Sequence, residues 1–262
     1  IRHYLLALQF FSRVPVTGQL AAWVGYSPAM LRASAAHFPG VGWLVGGVVA
    51  AVTWLLLAAL PGGAFAPLVA AVLGTVVSVL MTGAFHEDGL ADVADGLGGS
   101  QNRDRALEIM KDSRVGAFGA IAVVLALLLK VVLLAQLGSL GVAVVCTSVF
   151  LAHVVSRTWP LLMIRLLPHV GDAAGSKSKP LADQIASGSL FVALLWTMAG
   201  LALVFTLAPA VPLAVPLLAS TLTCLVLWRW FNRRLQGFTG DCLGATQQLC
   251  ESAFYLGLVM CL

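Results

Sequence analysis

Residues Ala66–Gly96 read APLVAAVLGTVVSVLMTGAFHEDGLADVADG. The first twenty of them, Ala66–Phe85, carry no charge, and the stretch that follows, His86–Gly96, holds four of the chain's eleven carboxylates. Twenty apolar residues in a helix cover about 30 Å, the thickness of the hydrocarbon core of a bilayer. The run therefore reads as a membrane span with an acidic mouth. Four acids at one helix end repel one another and persist at low cost only with positive charge among them, for which a divalent metal is the obvious candidate.

The same pattern repeats outward in both directions. Val41–Leu60 is a second charge-free run of twenty residues, ended by Pro61-Gly62-Gly63. Gly116–Leu137 is another span, with Lys130 inside it, and Val142–Leu167 a longer one. The latter contains His153, Arg157, Pro160 and Arg165, so it is expected to be kinked and polar toward one end. Leu190–Leu207 and Val211–Trp228 follow, and Ser252–Leu262 starts a further span that is short or cut off. Ile1–Val14 is too short to cross and reads as an interfacial or re-entrant helix ending before Pro15. Thr17–His37 reads as peripheral, and Pro168–Gly188 and Arg229–Glu251 as polar connections. No signal peptide is expected in the opening stretch.

Composition agrees. The chain is 60% hydrophobic and 10% charged, whereas soluble domains carry roughly 25% charged residues. A water-soluble fold is excluded, and without strand alternation so is a transmembrane barrel. The expectation is an all-α polytopic membrane bundle of six to seven transmembrane helices plus interfacial helices, forming one membrane domain over residues 1–262. The five cysteines form no C-x-x-C pair and mostly lie in apolar runs, where they behave as small hydrophobes. The net charge of +4 is modest, its basic residues fall in loops, and nucleic acid is not an expected partner. Membrane lipid is, and a homo-oligomer remains open.

The connections at 61–65, 138–141 and 208–210 carry no charge, and they alternate along the chain with the charged ones. Fourteen of the fifteen Lys and Arg then fall on one side or at that side's helix ends, which the positive-inside rule makes cytoplasmic. The acidic cluster shares that side with Arg13, Arg114, Lys177, Arg233 and Asp241.

Asp88, Asp92 and Asp95 stand at i, i+4 and i+7, one face of a helix within two turns. One or two Mg²⁺ ions would turn them into ligands shared with substrate phosphates. The alternative is a solvated helix end. Gly89 and Gly96 are expected to let a bulky diphosphate approach the backbone, and Glu87, off that face, to be a surface residue. Asn102–Met110 reads as an amphipathic helix. Lys111 and Arg114 either bind phosphate oxygens or anchor the next span, and Asp112 is a further ligand or a general base. Arg13 by itself is an interfacial anchor. Asp241 completes the metal site from a distant part of the chain, or serves as a helix N-cap. His86 and His153 are more ordinary as hydrogen-bonded structure, and Lys130 and Arg157, at depth, need polar partners or a watery cavity.

Phe85–Gly96 resembles the F-H-x-D-G-L-A-D-x-x-D-G signature of the cobalamin synthase family, the adenosylcobinamide-GDP ribazoletransferases. Further resemblances lie in the same order along nearly the whole chain. Phe10–Val16 is similar to F-x-T-R-x-P-V, and Phe38–Gly42 to F-P-x-x-G. Arg105–Gly116 is similar to R-x-L-E-I-M-R/K-D-S-R-x-G, and Gly240–Ala245 to G-D-x-L-G-A, with Glu251 in its expected place. The departures are mild: Ser12 replaces Thr, and Glu87 occupies a variable position. The resemblance implies a Mg²⁺-dependent inner-membrane enzyme joining α-ribazole, or its 5′-phosphate, to adenosylcobinamide-GDP. GMP is released as the ribazole 5′ oxygen attacks the β-phosphorus. It further implies Asp88, Asp92 and Asp95 as metal ligands, Arg13, Lys111 and Arg114 as diphosphate binders, and Asp112 or Asp241 as ligand or base.

Other classes fit less well. CDP-alcohol phosphotransferases carry Arg where Asp92 stands. Intramembrane prenyltransferases carry two separated Asp-rich motifs of similar weight, and this chain has one dense cluster plus Asp241. A cation-coupled transporter would place its carboxylates near the midplane within inverted repeats.

Overall fold

A computed structural model describes residues 1–171 and 185–262; Lys177 and most of the connection expected over Pro168–Gly188 lie outside them. Among the described residues every regular element is helical, apart from one isolated bridge between His169 and Phe238.

Helix α1 (Arg2–Phe11) stops at Ser12, whose hydroxyl turns back onto the Leu8 carbonyl at 2.6 Å. Two short helices follow, α2 (Gly18–Val24) and α3 (Pro28–Ser34), and a 3₁₀ turn at Ala35–His37 leads straight into α4 (Phe38–Ala59). Next come α5 (Ala66–Thr82), α6 (Phe85–Gly99), α7 (Arg103–Ile109) and α8 (Ala117–Leu140). The chain returns through α9 (Val142–Val155) and α10 (Trp159–Leu166), the interruption expected near Pro160 falling at residues 156–158. It closes with α11 (Ser187–Leu207), α12 (Ala214–Leu235) and α13 (Gly240–Val259).

Among the described residues five helical runs are long and apolar enough to cross a membrane, and a sixth counts if the bent pair α5–α6 is one span. Their outer faces explain where they sit. On α8, Ile121, Val124, Leu125 and Leu128 are exposed while Leu133, Leu134 and Leu137 are buried. On α11, Phe191, Leu195, Met198 and Phe205 are exposed. Apolar bands of this extent are untenable in water and ordinary against lipid. The chain is a multi-pass membrane bundle.

Two packing devices matter for the site. Helices α4 and α9 meet through Gly42 and Gly46, where a Cβ on Gly46 would stand 2.9 Å from the Phe150 carbonyl oxygen. This is the small-residue spacing that lets membrane helices approach closely. Helix α13 is the larger surprise. The polar connection expected over Arg229–Glu251 and the truncated span at Ser252–Leu262 are instead the end of α12 and one continuous 20-residue helix. It is buried along most of its length, including Thr246, Gln247, Gln248 and Glu251. Hydropathy misses it because protein, not lipid, surrounds it, so its polar side chains find partners.

Candidate active site

The acidic helix is aimed by a corner. Helix α5 ends at Gly83 (φ 67) and Ala84 (φ 58), both left-handed, and α6 leaves at 88° to it. Glycine takes that conformation at no steric cost and stops the helix, whereas Ala84 takes it at some cost. We read α6 as lying outside the membrane-spanning segments. Arg13 sits on the corner: its backbone N–H donates to the Met81 carbonyl at 2.6 Å, and its side chain lies where a Cβ on Gly83 would be. A cavity of about 710 Å³, counting space open to solvent, runs from Gln9 and Arg13 past Thr82 and Gly83 to Asp88. The structure thus places Arg13 and Asp88 on one cavity.

Asp88 is exposed, Asp92 half-buried and Asp95 buried. The fourth carboxylate, Asp241, arrives from the first turn of α13. Two glycines bring it there. A Cβ on Gly89 would stand 2.8 Å from the Asp241 carbonyl oxygen, and one on Gly244 would stand 3.2 Å from that of His86. The two helices therefore cross backbone to backbone. Gly96 similarly receives α7, with a Cβ there 2.8 Å from the Ala106 carbonyl oxygen. Gly89 and Gly96 are packing contacts between helices, which corrects the expectation that they admit a diphosphate. The N-cap of α13 is Thr239, whose hydroxyl accepts from the Cys242 N–H at 3.4 Å. Asp241 is thereby released from capping, and its Oδ2 accepts from the Thr239 hydroxyl at 3.2 Å.

Asp95 has a second occupation. Its Oδ2 accepts from the Gly116 N–H at 2.7 Å and its Oδ1 from the Gly119 N–H at 2.8 Å. It caps α8 from outside, satisfying two amides that a helix start leaves unpaired. Both glycines are required, since a Cβ on either would overlap the carboxylate. A carboxylate has about four lone-pair positions, so Asp95 retains capacity for a cation.

Among the described residues none of Asp88, Asp92 and Asp241 has an ion-pair partner. Partial burial, followed by the charges of Asp241, Asp88 and Asp95, pushes the Asp92 carboxyl up to about 7. No three Asp, Glu, His or Cys side chains among the described residues already stand as a finished metal cage. The donor set nevertheless fits a hard divalent cation: all oxygen, uncompensated, converging from two helices and open to a cavity.

The remaining expected residues lie on the far flank. Asp112, Arg114 and Asp95 line a cavity of about 1000 Å³, counting space open to solvent, with Arg105 and Glu108. The Arg114 guanidinium forks onto Asp112, Nε to Oδ1 at 3.0 Å and Nη2 to Oδ2 at 2.5 Å, and holds that carboxyl down to about 2. A carboxylate so held is a poor proton acceptor, which counts against Asp112 as the base. Lys111 occupies the same connection between α7 and α8. Arg13 thus shares a cavity with Asp88, and Arg114 one with Asp95.

The site's fold partners reach across the chain. A family model described as cobalamin-5-phosphate synthase matches residues 3–259. The chain belongs to the cobalamin-5-phosphate synthase family. A protein of Albidiferax ferrireducens named adenosylcobinamide-GDP ribazoletransferase is 65% identical, covering 99% of this chain and 98% of its own length. One of Polaromonas naphthalenivorans with the same name is 61% identical over 100% and 99%. A third, of Vibrio cholerae, is 42% identical over 98% and 92%. No solved structure matches the chain.

Membership in this family sits beside a feature that sequence reasoning missed. Behind the acids lies a buried polar core. Lys130 of α8 meets Glu251 of α13 at 2.7 Å. Glu251 also accepts from Tyr255 at 3.0 Å and Gln247 at 2.6 Å, and His153 Nε2 stands 3.8 Å away. Arg157 donates to the His153 carbonyl at 2.9 Å and lies over the Phe38 ring at 5.6 Å. Lys130 and Arg157 have the polar partners their depth demands. Glu87 belongs here too: it is buried and accepts from Gln248 at 2.9 Å. That corrects its reading as a surface residue, because α13 covers the side of α6 on which it lies.

Proposed function

We propose that the chain is an adenosylcobinamide-GDP ribazoletransferase of a bacterial inner membrane, with its acidic cluster on the cytoplasmic face. The observation that carries the reading is the convergence of Asp88, Asp92 and Asp241 from two helices, without cationic partners among the described residues, with Arg13 on the cavity of Asp88 and Arg114 on that of Asp95. The relatives carry that activity in their names. Adenosylcobinamide-GDP presents its diphosphate to the acids, and α-ribazole or its 5′-phosphate is the acceptor.

Asp88, Asp92 and Asp95 would hold Mg²⁺, which leaves Asp241 free to act as a base. What Mg²⁺ supplies when bound is neutralisation of the diphosphate oxygens and of the charge that develops on departing GMP. Arg13 and Arg114 grip outer phosphate oxygens, Arg114 by exchanging Asp112 for phosphate in its bidentate fork. Lys111 adds a point charge on the same side. Sequence reasoning placed the attack at the ribazole 5′ oxygen. An acceptor already phosphorylated there has no free 5′ hydroxyl, so a secondary ribose hydroxyl is the nucleophile common to both acceptors. A bond forms from that oxygen to the β-phosphorus. The bond from the β-phosphorus to the bridging oxygen breaks, and GMP leaves with the electron pair. The hydroxyl proton passes to a carboxylate of the cluster, and Asp241 suits this better than Asp112, which Arg114 occupies.

The test is the fate of the β-phosphorus. With adenosylcobinamide-GDP radiolabelled there, the label stays with the corrinoid product and GMP emerges unlabelled. Label in the released nucleotide contradicts attack at that phosphorus.

A further inference from the structure

A second cavity adjoins the acids and has no part in the chemistry above. Its volume is about 510 Å³, counting space open to solvent, and it is lined by Phe10, Phe11, Phe38, Phe85, Ile164 and Leu243, with His86 in its wall. It shares Phe10 and Phe85 with the cavity of Arg13 and Asp88. Those two rings stand edge to face at 6.2 Å, a partition between the polar and apolar compartments. Phe85 and His86 lead directly into Asp88, and Gly240, also in the wall, precedes Asp241. The slot and the acids thus share the first turns of α6 and α13.

We propose that this slot holds the aromatic base of the acceptor nucleoside and places its ribose hydroxyl at the acids. The proposal rests on the transferase reading. Three features select that occupant. Aromatic walls favour a flat ring, which gains by stacking and edge contacts. Among the described residues the only polar side chain in the wall is His86, whose buried Nε2 has no hydrogen-bond partner among them, matching a ring with one available nitrogen. Guanine, the other flat ring in the reaction, carries several donors and acceptors that so apolar a wall would leave unpaired. The corrinoid, with its peripheral amide side chains, would likewise leave donors and acceptors unpaired against this wall. His86 is fixed by stacking on Phe38 at 5.9 Å and meeting Phe85 edge-on at 5.5 Å, so the wall is preorganised.

The test fills the slot from two sides, with Leu243→Trp on α13 and Ile164→Phe on α10. Purified protein is assayed with adenosylcobinamide-GDP and either α-ribazole, the ribonucleoside of dimethylbenzimidazole, or the corresponding ribonucleosides of benzimidazole and imidazole. In each variant kcat/KM for the dimethylbenzimidazole compound is expected to fall by about tenfold or more. The imidazole compound is expected to lose much less, and KM for adenosylcobinamide-GDP to stay as in the wild type. A reversed preference for the smaller base is a signature that mere destabilisation does not produce. Equal losses for all three nucleosides, a rise in KM for adenosylcobinamide-GDP alone, or kinetics unchanged in both variants overturns the subsite. The second outcome assigns the slot to guanine, and the third to a lipid chain or to nothing. Absence of transfer by the wild type with every nucleoside instead overturns the transferase reading and the subsite with it.

Discussion

Asp88→Asn is expected to cut kcat by about 10²–10³-fold or more while the protein stays in the membrane at wild-type abundance. Asp88 is exposed and has no ion-pair partner among the described residues, so its charge contributes to α6 only through the modest attraction of a first-turn acid to the helix N-terminus. Asparagine keeps the shape and removes one of the anionic oxygens the cluster offers a cation. The same change at Asp95 would mix two effects, because that carboxylate also caps α8 through Gly116 and Gly119. Initial rates of GMP release, normalised to folded protein from size-exclusion, separate chemistry from folding. Near wild-type turnover in Asp88→Asn would falsify the assignment of Asp88 to the reacting centre.

The second large effect lies in the buried core. Glu251→Ala removes the carboxylate that faces Lys130 at 2.7 Å and His153 at 3.8 Å, with both Lys130 and Glu251 at most 2% exposed. Breaking a buried pair leaves an uncompensated charge and costs roughly 3–5 kcal/mol. A fold whose margin is about 5–15 kcal/mol loses much of it. The expected result is a sharply lowered midpoint of thermal unfolding in detergent, with low recovery of monodisperse protein. Joint replacement of the pair, Lys130→Met with Glu251→Leu, removes both charges at similar volume and is expected to recover most of the loss. An unfolding midpoint for Glu251→Ala equal to the wild type would show that the pair contributes nothing. This core also sets the register of α13, and hence where Asp241 meets Gly89, so its integrity reaches the site through backbone position.

Much of this architecture was legible in the chain. The charge-free runs at Val41–Leu60 and Ala66–Phe85 became α4 and α5 because lipid-facing helices must be apolar on their outer faces, and hydropathy measures that face. The spacing of Asp88 and Asp92 located the cluster, since i and i+4 share a helix face wherever the helix goes. What escaped was set by neighbours distant in sequence. Helix α13 was broken into a loop and a stub because Asp241, Gln247, Gln248 and Glu251 lower its hydropathy, and their partners lie on α6, α8 and α9. Glu87 was assigned to solvent for the same reason: a helical wheel shows which side a residue takes, and only α13 shows that this side is covered. Asp95 kept its position on the wheel but acquired two backbone donors from α8, which no local pattern announces. The corner at Gly83–Ala84 was hidden because Ala84 is no usual left-handed residue.

The central claim is that the converging carboxylates act on a diphosphate through a bound divalent cation. The most direct measurement is GMP release by purified wild-type protein from adenosylcobinamide-GDP and α-ribazole, after chelation and then during stepwise return of Mg²⁺. Release should vanish on chelation and recover saturably with Mg²⁺, with recovery in Asp88→Asn reaching at most about a hundredth of the wild-type rate at any concentration. Undiminished release under chelation, or the same Mg²⁺ response in both proteins, contradicts it.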